Sequence, residues 1–517
     1  MTPYQYQNTP QMDPNVIAQT MAAFKKAYAS PIADPRMSDM LQKSTFTQSG
    51  SATSGLTFYD LELGAKFLYP VLTPLRNMIP RVSGKGGIQA NWRAVTAINT
   101  TGIRIGVSGG NRGAVMAVAT QDYTASYKGI GLEDNVDFEA QYAGMGFDDV
   151  RAIAAKTLLE ATMIGEEILL LGGNGSTALG QGTVTSLVGT STGGSLATGT
   201  YSVIVAPLTL DGFLNGSVSG GVQGLISRTN ADGSVDSFGG GAGKLSTNST
   251  VSITSAGSTG SIAATASKNT GALGYAWFWG AAGSETLGAI TSINSIVITT
   301  ASGSGTQTAS SLGTLDNSVN NLVFDGLLTQ VVKSGSNAYY SAQATGTAGT
   351  GTPLTADGEG GIVEIDVMLK SLWDNYRLSP TVIMVSSQEA LNISKKILNN
   401  GSATSNLRFN VDVRDGMLAG GVMIKEYLNR FSMAGGQLIP VQIHPNMPPG
   451  TILAITERLP YPLSNVSNVM QVRTRQDYYQ IEWPLTSRKY QYGVYADEVL
   501  QHYFPPSMGV ITNIGNG

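Results

Sequence analysis

Between residues 181 and 317 the chain almost stops carrying charge. Three basic residues (Arg228, Lys244, Lys268) and five acidic ones stand in a background of Gly, Ser, Thr and Ala. Runs with β character recur through it: TYSVIVAPLTL at 200–210, SIAATAS at 261–267, GYAWFWG at 274–280 and INSIVITT at 293–300. Linker and mucin-like sequence shares this composition but not the regular strands. The runs and the turn residues between them predict an all-β sandwich over 181–317. Tyr275, Trp277 and Trp279 alternate, which puts three large rings on one face of a strand. Core packing explains them best, and an exposed aromatic platform for sugars is the functional alternative.

Sequence of ordinary globular texture flanks this segment on both sides. DDVRAIAAKTLLEATMIGEEILLL at 148–171 is the clearest helix, with Asp148 and Asp149 at its positive N-terminal end and Gly172-Gly173 as its stop. Val150, Ile153, Leu158, Ala161, Ile164, Ile168 and Leu171 recur mostly every three or four residues. A rod of about 36 Å follows at 1.5 Å per residue. Further upstream, residues 1–55 read as a polar arm with one amphipathic island. There Asp13-Pro14 starts a helix carrying Ile17, Met21, Phe24 and Tyr28. Residues 56–80 read as a connector with a short helix around Tyr59 to Leu68.

Residues 81–130 predict a long β-hairpin, with valines and isoleucines spread between turns such as NTTG and SGGNRG. Two arms of roughly 20 residues would reach about 60 Å, too far for one compact core. From Arg81 to Gln121 the segment holds Arg81, Lys85, Arg93, Arg104 and Arg112 and no acid; Glu133, Asp134, Asp137 and Glu139 follow. Opposite blocks of this kind suit a contact between subunits, where complementary charge sets register. A solvated basic loop is the alternative. Beyond the β-rich segment, 318–465 reads as an α+β unit. Ile365, Leu369 and Leu372 mark a helix, TVIMVSS at 381–387 a buried strand, and Ser386 with Glu389 a capping box. The Tyr-rich 466–517 reads as a terminal sheet.

Catalytic chemistry has little to work with. There is no cysteine and there are two histidines, His444 and His502, both read as packing or surface residues. GGGAGKL at 239–245 lacks the first glycine and the hydroxyl residue of a phosphate loop. The paired carboxylates in GEE at 165–167 lie in the long helix. No enzymatic activity, cofactor or metal is expected. Net charge is −4, without the basic excess of a dedicated nucleic-acid reader. No apolar run is long enough to span a bilayer. The first residues have no signal-peptide pattern, so synthesis in a cytoplasm is expected.

The order of elements, with TPLRNMIPRVSGKGG at 73–87, FDDVRAIAAKTLLEATMIGEEILLLGGNG at 147–175, FDGLLTQV at 324–331 and GIVEIDVMLKSLWDNYRLSPTVIMVSSQEALNI at 361–393, resembles the Hong Kong 97-type major capsid fold of tailed bacteriophages. The resemblance implies an α+β protein with an N-arm (1–55), extended loop (81–130), peripheral domain (131–180 and 466–517) and axial domain (318–465). TGALGYAWFWGAAGSETLGAITSI looks similar to the central strands of an immunoglobulin-like or fibronectin type III sandwich, making 181–317 an inserted domain. The implied function is self-assembly into pentamers and hexamers that form an icosahedral head around double-stranded DNA, in a virion assembled in host cytoplasm. Implied partners are further copies of the chain, portal, scaffold and decoration proteins, and packaged DNA through non-specific contacts; no membrane is involved. An encapsulin-type compartment shell and a glycan-binding adhesin are the alternatives.

Overall fold

The computed structural model describes residues 68–98, 106–113, 115–144, 149–254, 257–398, 423–433, 435–485 and 487–516. The expected arm lies outside them, as do the helix near Tyr59 up to its last residue, Arg104 and Asp148. The chain divides into two compact units. The larger comprises Leu68–Asp134, Lys156–Glu482 and Tyr492–Gly517; the described part of the smaller comprises residues of Asn135–Ala155 and Trp483–Gln491.

Helix α1 (Pro74–Met78) opens on a proline, whose missing N–H costs nothing in a first turn. Strand β1 (Arg81–Ser83) precedes β2 (Gln89–Ile98), which pairs antiparallel with β3 (Val118–Ser126) in a sheet of their own. A hairpin is therefore present, but its paired arms have 10 and 9 residues. At ~3.3 Å per residue these described arms reach about 30 Å; residues 99–105 and 114, between them, lie outside the described residues. Within 106–113 the chain turns instead of pairing: Asn111 N–H bonds Ser108 O at 3.1 Å, and Gly110 takes φ +80°. Strand β4 (Lys128–Asp137) and helix α2 (Phe138–Gly144) lead to α3 (Val150–Gly172), 23 residues long. Buried Leu158, Thr162, Glu166 and Leu170 recur every fourth residue on α3 and so form one stripe. The glycines that end it are required by close packing. A Cβ on Gly172 would lie 2.6 Å from the Leu210 side chain, and one on Gly173 2.6 Å from the Phe324 carbonyl.

In the smaller unit Phe138 and Tyr490 pack with ring centroids 4.7 Å apart, and the Arg151 guanidinium lies 4.1 Å from the centre of the Tyr490 ring. Lys489 pairs with Asp137 at 3.3 Å and Arg488 with Glu139 at 3.1 Å.

The low-charge segment contains β5 (Val184–Thr190), β6 (Gly199–Leu208), α4 (Leu210–Leu214), β7 (Leu225–Thr229), β8 (Val235–Gly239), β9 (Ser249–Ile253), β10 (Ser261–Ala266), β11 (Gly274–Gly280), β12 (Thr286–Thr291) and β13 (Ser295–Ile298). One sheet runs β13-β10-β5, a second runs β12-β11-β6-β9, and β7 pairs only with β8. Val203 and Val205 from the second sheet share a core with Ile262, Ala264 and Ile298 from the first, so the two sheets form a sandwich. Tyr275, Trp277 and Trp279 fall on the face of β11 that lines this core and are 3%, 0% and 6% exposed. That corrects the aromatic-platform alternative. Both indole N–H groups are satisfied inside, Trp277 by Thr291 Oγ1 at 2.8 Å and Trp279 by Thr300 O at 2.9 Å.

The remaining elements are α5 (Leu327–Val332), β14 (Tyr339–Ala342), α6 (Val363–Tyr376), β15 (Val382–Val385), α7 (Ser387–Leu398), β16 (Glu426–Asn429), β17 (Gln437–Ile443), β18 (Ile452–Ile455), β19 (Met470–Glu482), β20 (Lys489–His502) and β21 (Gly509–Thr512). A six-stranded mixed sheet runs β14-β21-β18-β15-β17-β16. Every residue of β15 is buried, as a strand flanked on both sides in a covered sheet requires. Ile365, Leu369 and Leu372 of α6 and Ile393 of α7 close over it. The Tyr-rich C-terminal sequence forms the long antiparallel pair β19–β20, with β1 parallel to β19 and β4 beside β20. Among the described residues no helix is long and apolar enough to cross a membrane.

Candidate assembly interface

Two faces of the β2–β3 hairpin differ because side chains alternate along a strand. On one, Ala90 is 4% exposed and joins the central core, and Trp92 stacks on Tyr123 at 5.7 Å and meets Tyr503 edge-on at 5.8 Å. This anchors the base. The other carries Arg93, Val95, Val118 and Asp122, all exposed. Val95 and Val118 are 61% and 50% exposed, and Ile88 at the base and Val115 beyond the paired arms are also largely in solvent. Neither outer edge of the hairpin is paired with another strand among the described residues. A two-stranded ribbon is marginal by itself in water, and open edges with apolar side chains invite a further chain.

Beneath the hairpin lies a buried ionic cluster. Glu166 and Glu167, on the inner side of α3, are fully buried. Glu166 accepts from Arg76 Nε at 2.9 Å, from Arg81 Nη1 and from the Tyr478 hydroxyl. The Nη2 of Arg81 reaches Glu498 and Asp477, both at 2.7 Å. Glu167 accepts the backbone N–H groups of Leu75 and Arg76, each at 2.8 Å. It also lies 2.7 Å from His444 Nε2. His444 Nδ1 accepts from Asn446 N–H at 3.2 Å, which leaves Nε2 as the donor toward Glu167. The cluster ties α1, β1, α3, β19 and β20 together at the place where the chain departs for the hairpin. Burial, followed by the neighbouring Glu166, pushes the Glu498 carboxyl up to about 8. Its Oε1 has no hydrogen-bond partner among the described residues. His502 on β20 is also buried, and burial lowers its pKa to about 3, so it stays neutral.

Most of the described residues of the two charge blocks are therefore engaged within the chain, and with other partners than each other. Arg81 is not a free contact residue; Glu166, Glu498 and Asp477 already surround it. Arg93 pairs with Asp122 across the hairpin at 2.6 Å. Asp137 and Glu139 hold Lys489 and Arg488. Glu133 accepts from the Tyr495 hydroxyl, and Asp134 from Tyr492 at 3.4 Å. Lys85 and Arg112 are exposed and pair with no acid among the described residues. Sequence reasoning noticed the GEE pair but not its partners. The only signal was two adjacent carboxylates in a helix rich in apolar residues. Among the described residues no group of three His, Asp or Glu side chains could hold a metal ion. GGGAGKL runs from the end of β8 toward β9 with no helix after it, unlike a phosphate loop.

No protein-family model matches the chain, and no curated protein matches it in sequence. Among solved structures, it is similar to the capsid of a native GTA particle (10% identity, TM-score 0.40, covering 91% of this chain and 100% of the other). It is likewise similar to the capsid of cyanophage A-1(L) (10% identity, TM-score 0.42, covering 88% and 97%). A third similarity is to the holo-SrpI encapsulin complex of Synechococcus elongatus (9% identity, TM-score 0.37, covering 87% and 92%).

Proposed function

We propose that this chain is a shell-forming subunit, the major capsid protein of a tailed bacteriophage, and that its function is to assemble rather than to catalyse. One observation carries the reading. The β2–β3 hairpin is pinned at its base and leaves both edges and the face of Val95 and Val118 without a partner among the described residues. A second copy of the chain supplies what the hairpin lacks. Repetition of that heterologous contact closes rings of five and six, and the rings tile a closed shell. Lys85 and Arg112 remain as the hairpin's cationic contribution to the contact. The resemblance in element order supports the same reading, with 318–465 as axial domain and 131–180 and 466–502 as peripheral domain; the C-terminal end expected with the peripheral part instead returns through β21 to the six-stranded sheet of 318–465.

The sandwich at 181–317 is an inserted immunoglobulin-like domain in this reading. The pairs β5–β10 and β6–β11 lie in separate sheets, as the B–E and C–F pairs do in that fold. Portal, scaffold and decoration proteins, weak contact with packaged DNA, and assembly in a host cytoplasm belong to the same proposal.

Negative-stain electron microscopy with sedimentation, on the chain expressed alone and with residues 88–118 deleted, tests it. Closed shells or rings from the intact chain, and a soluble non-assembling deletion, are expected. Normal shells from the deletion would overturn the hairpin's role.

A further inference from the structure

A cavity of about 530 Å³ opens between the β12–β13 turn, the loop at 348–350, the first turn of α7 and residues 514–516. Ile290, Ile293, Ile296 and Ile514 supply apolar wall, and Ser292 and Gln388 supply polar groups. Glu389 is the one charged side chain among its described lining residues.

Glu389 is 1% exposed. Its Oε1 accepts from Gly450 N–H at 3.1 Å and from Asn392 Nδ2 at 3.2 Å, while Oε2 has no partner among the described residues. The capping box read from the sequence is only half made. Ser386 Oγ accepts from Glu389 N–H at 3.1 Å, but the carboxylate goes to Gly450 and Asn392 instead of back along its own helix. A buried carboxylate oxygen left without a donor is costly unless a ligand supplies one.

We propose that this cavity binds a primary ammonium group on an aliphatic stem, with Glu389 Oε2 as its counter-charge. The chemistry of the group follows from which atoms are free. A guanidinium binds best through both carboxylate oxygens, and Oε1 is already engaged twice. A divalent cation needs several oxygen ligands, and Glu389 is alone. An ammonium is a compact charge with three donors. One serves Oε2, which is closed from solvent in this structure and which a turn of the carboxylate exposes; the Ser292 hydroxyl and the Gln388 amide oxygen, on lining residues, are acceptors of the right kind for the others. The isoleucine walls take the stem, as lysine stems lie on apolar surface elsewhere. The ammonium belongs either to a lysine of a second copy or to a free alkylamine.

Burial pushes the Glu389 carboxyl up to about 7, against the hydrogen bonds from Asn392 and Gly450. The groups facing it are Gln388 and Asn392 from α7, Gly450 from its loop and Asn516 from the C-terminal segment, none of them titratable. Protonation competes with the ammonium, so binding is about tenfold weaker at pH 6 than at pH 8.

The test titrates pentylammonium chloride into the intact chain and follows the thermal midpoint and sedimentation. Expected is a rise in midpoint at pH 8, smaller at pH 6, absent with 1-pentanol and lost in Glu389→Gln. Val297→Trp at the cavity's exposed rim should lose it too, and decides the matter if Glu389→Gln does not fold. Dissociation of assemblies by the amine assigns the site to a lysine of a second copy; unchanged sedimentation assigns it to a free amine. No midpoint response, an equal response to pentanol, or an undiminished response in the folded variants overturns the proposal.

Discussion

Arg81 and Glu498 are 417 residues apart in sequence and meet at 2.7 Å. The same guanidinium touches Glu166 and Asp477, so one side chain from β1 neutralises acids from α3, β19 and β20. Removing one member of a buried ion pair strands the others in low dielectric. Arg81→Met is expected to cost about 3–5 kcal/mol of stability, read from the midpoint and slope of urea unfolding. Adding Glu166→Gln should recover part of the loss, because the fully buried carboxylate that has lost the Arg81 guanidinium disappears with it. An Arg81→Met protein as stable as the parent would mean that the cluster is solvated.

The same cluster sets a pH dependence. Glu498 has its folded pKa raised to about 8, chiefly by burial, above the carboxylate value of about 4.3 in an unfolded chain. A raised folded pKa stabilises the folded state fully below the unfolded value, and that contribution is lost as pH rises through the folded one. Stability should therefore decline between about pH 5 and pH 8 from this group. In Glu498→Gln the decline over that window should flatten. A profile identical to the parent's would show that another group titrates there.

The helix α3 was legible because its apolar stripe and its glycine stop are both local. The β-sandwich was legible because charge and strand character change together at its borders. The destination of Arg81 was not. Within 81–121 it belongs to a run of basic residues without an acid, which reads as a free cationic face. The acids that engage it come from Glu166, Asp477 and Glu498, and only tertiary folding brings them there. Arg93 escaped by one position: its partner Asp122 stands just past the acid-free window, directly across the hairpin.

Trp277 is fully buried between the two sheets of the sandwich and hydrogen-bonded through its indole N–H. Trp277→Ala leaves a cavity, with an expected cost of about 3–5 kcal/mol; the Thr291 hydroxyl loses the indole donor but still donates to Ile293 O at 2.6 Å. Leu179 belongs to the same core, and its N–H bonds Ser318 Oγ at 3.0 Å. A fragment spanning 179–319 should therefore fold with a β-type circular dichroism spectrum where 181–317 is less stable. A random-coil spectrum for the longer fragment would argue against an autonomous inserted domain.

Val95 and Val118 share the outward face of the hairpin, and each is at least half exposed. Surface substitutions away from special contacts usually change stability by no more than about 0.5 kcal/mol, so Val95→Asp with Val118→Asp should leave the thermal midpoint of the isolated chain nearly unchanged. An interface is another matter, because a carboxylate buried against an apolar partner without a counter-charge is strongly unfavourable. The double variant should sediment as free chains at concentrations where the parent forms rings or shells. Comparing the two at several ionic strengths separates causes: an apolar contact persists in salt, whereas one dominated by Lys85 and Arg112 weakens as charges are screened. Assembly of the double variant at the parental concentration would place the subunit contact on another surface.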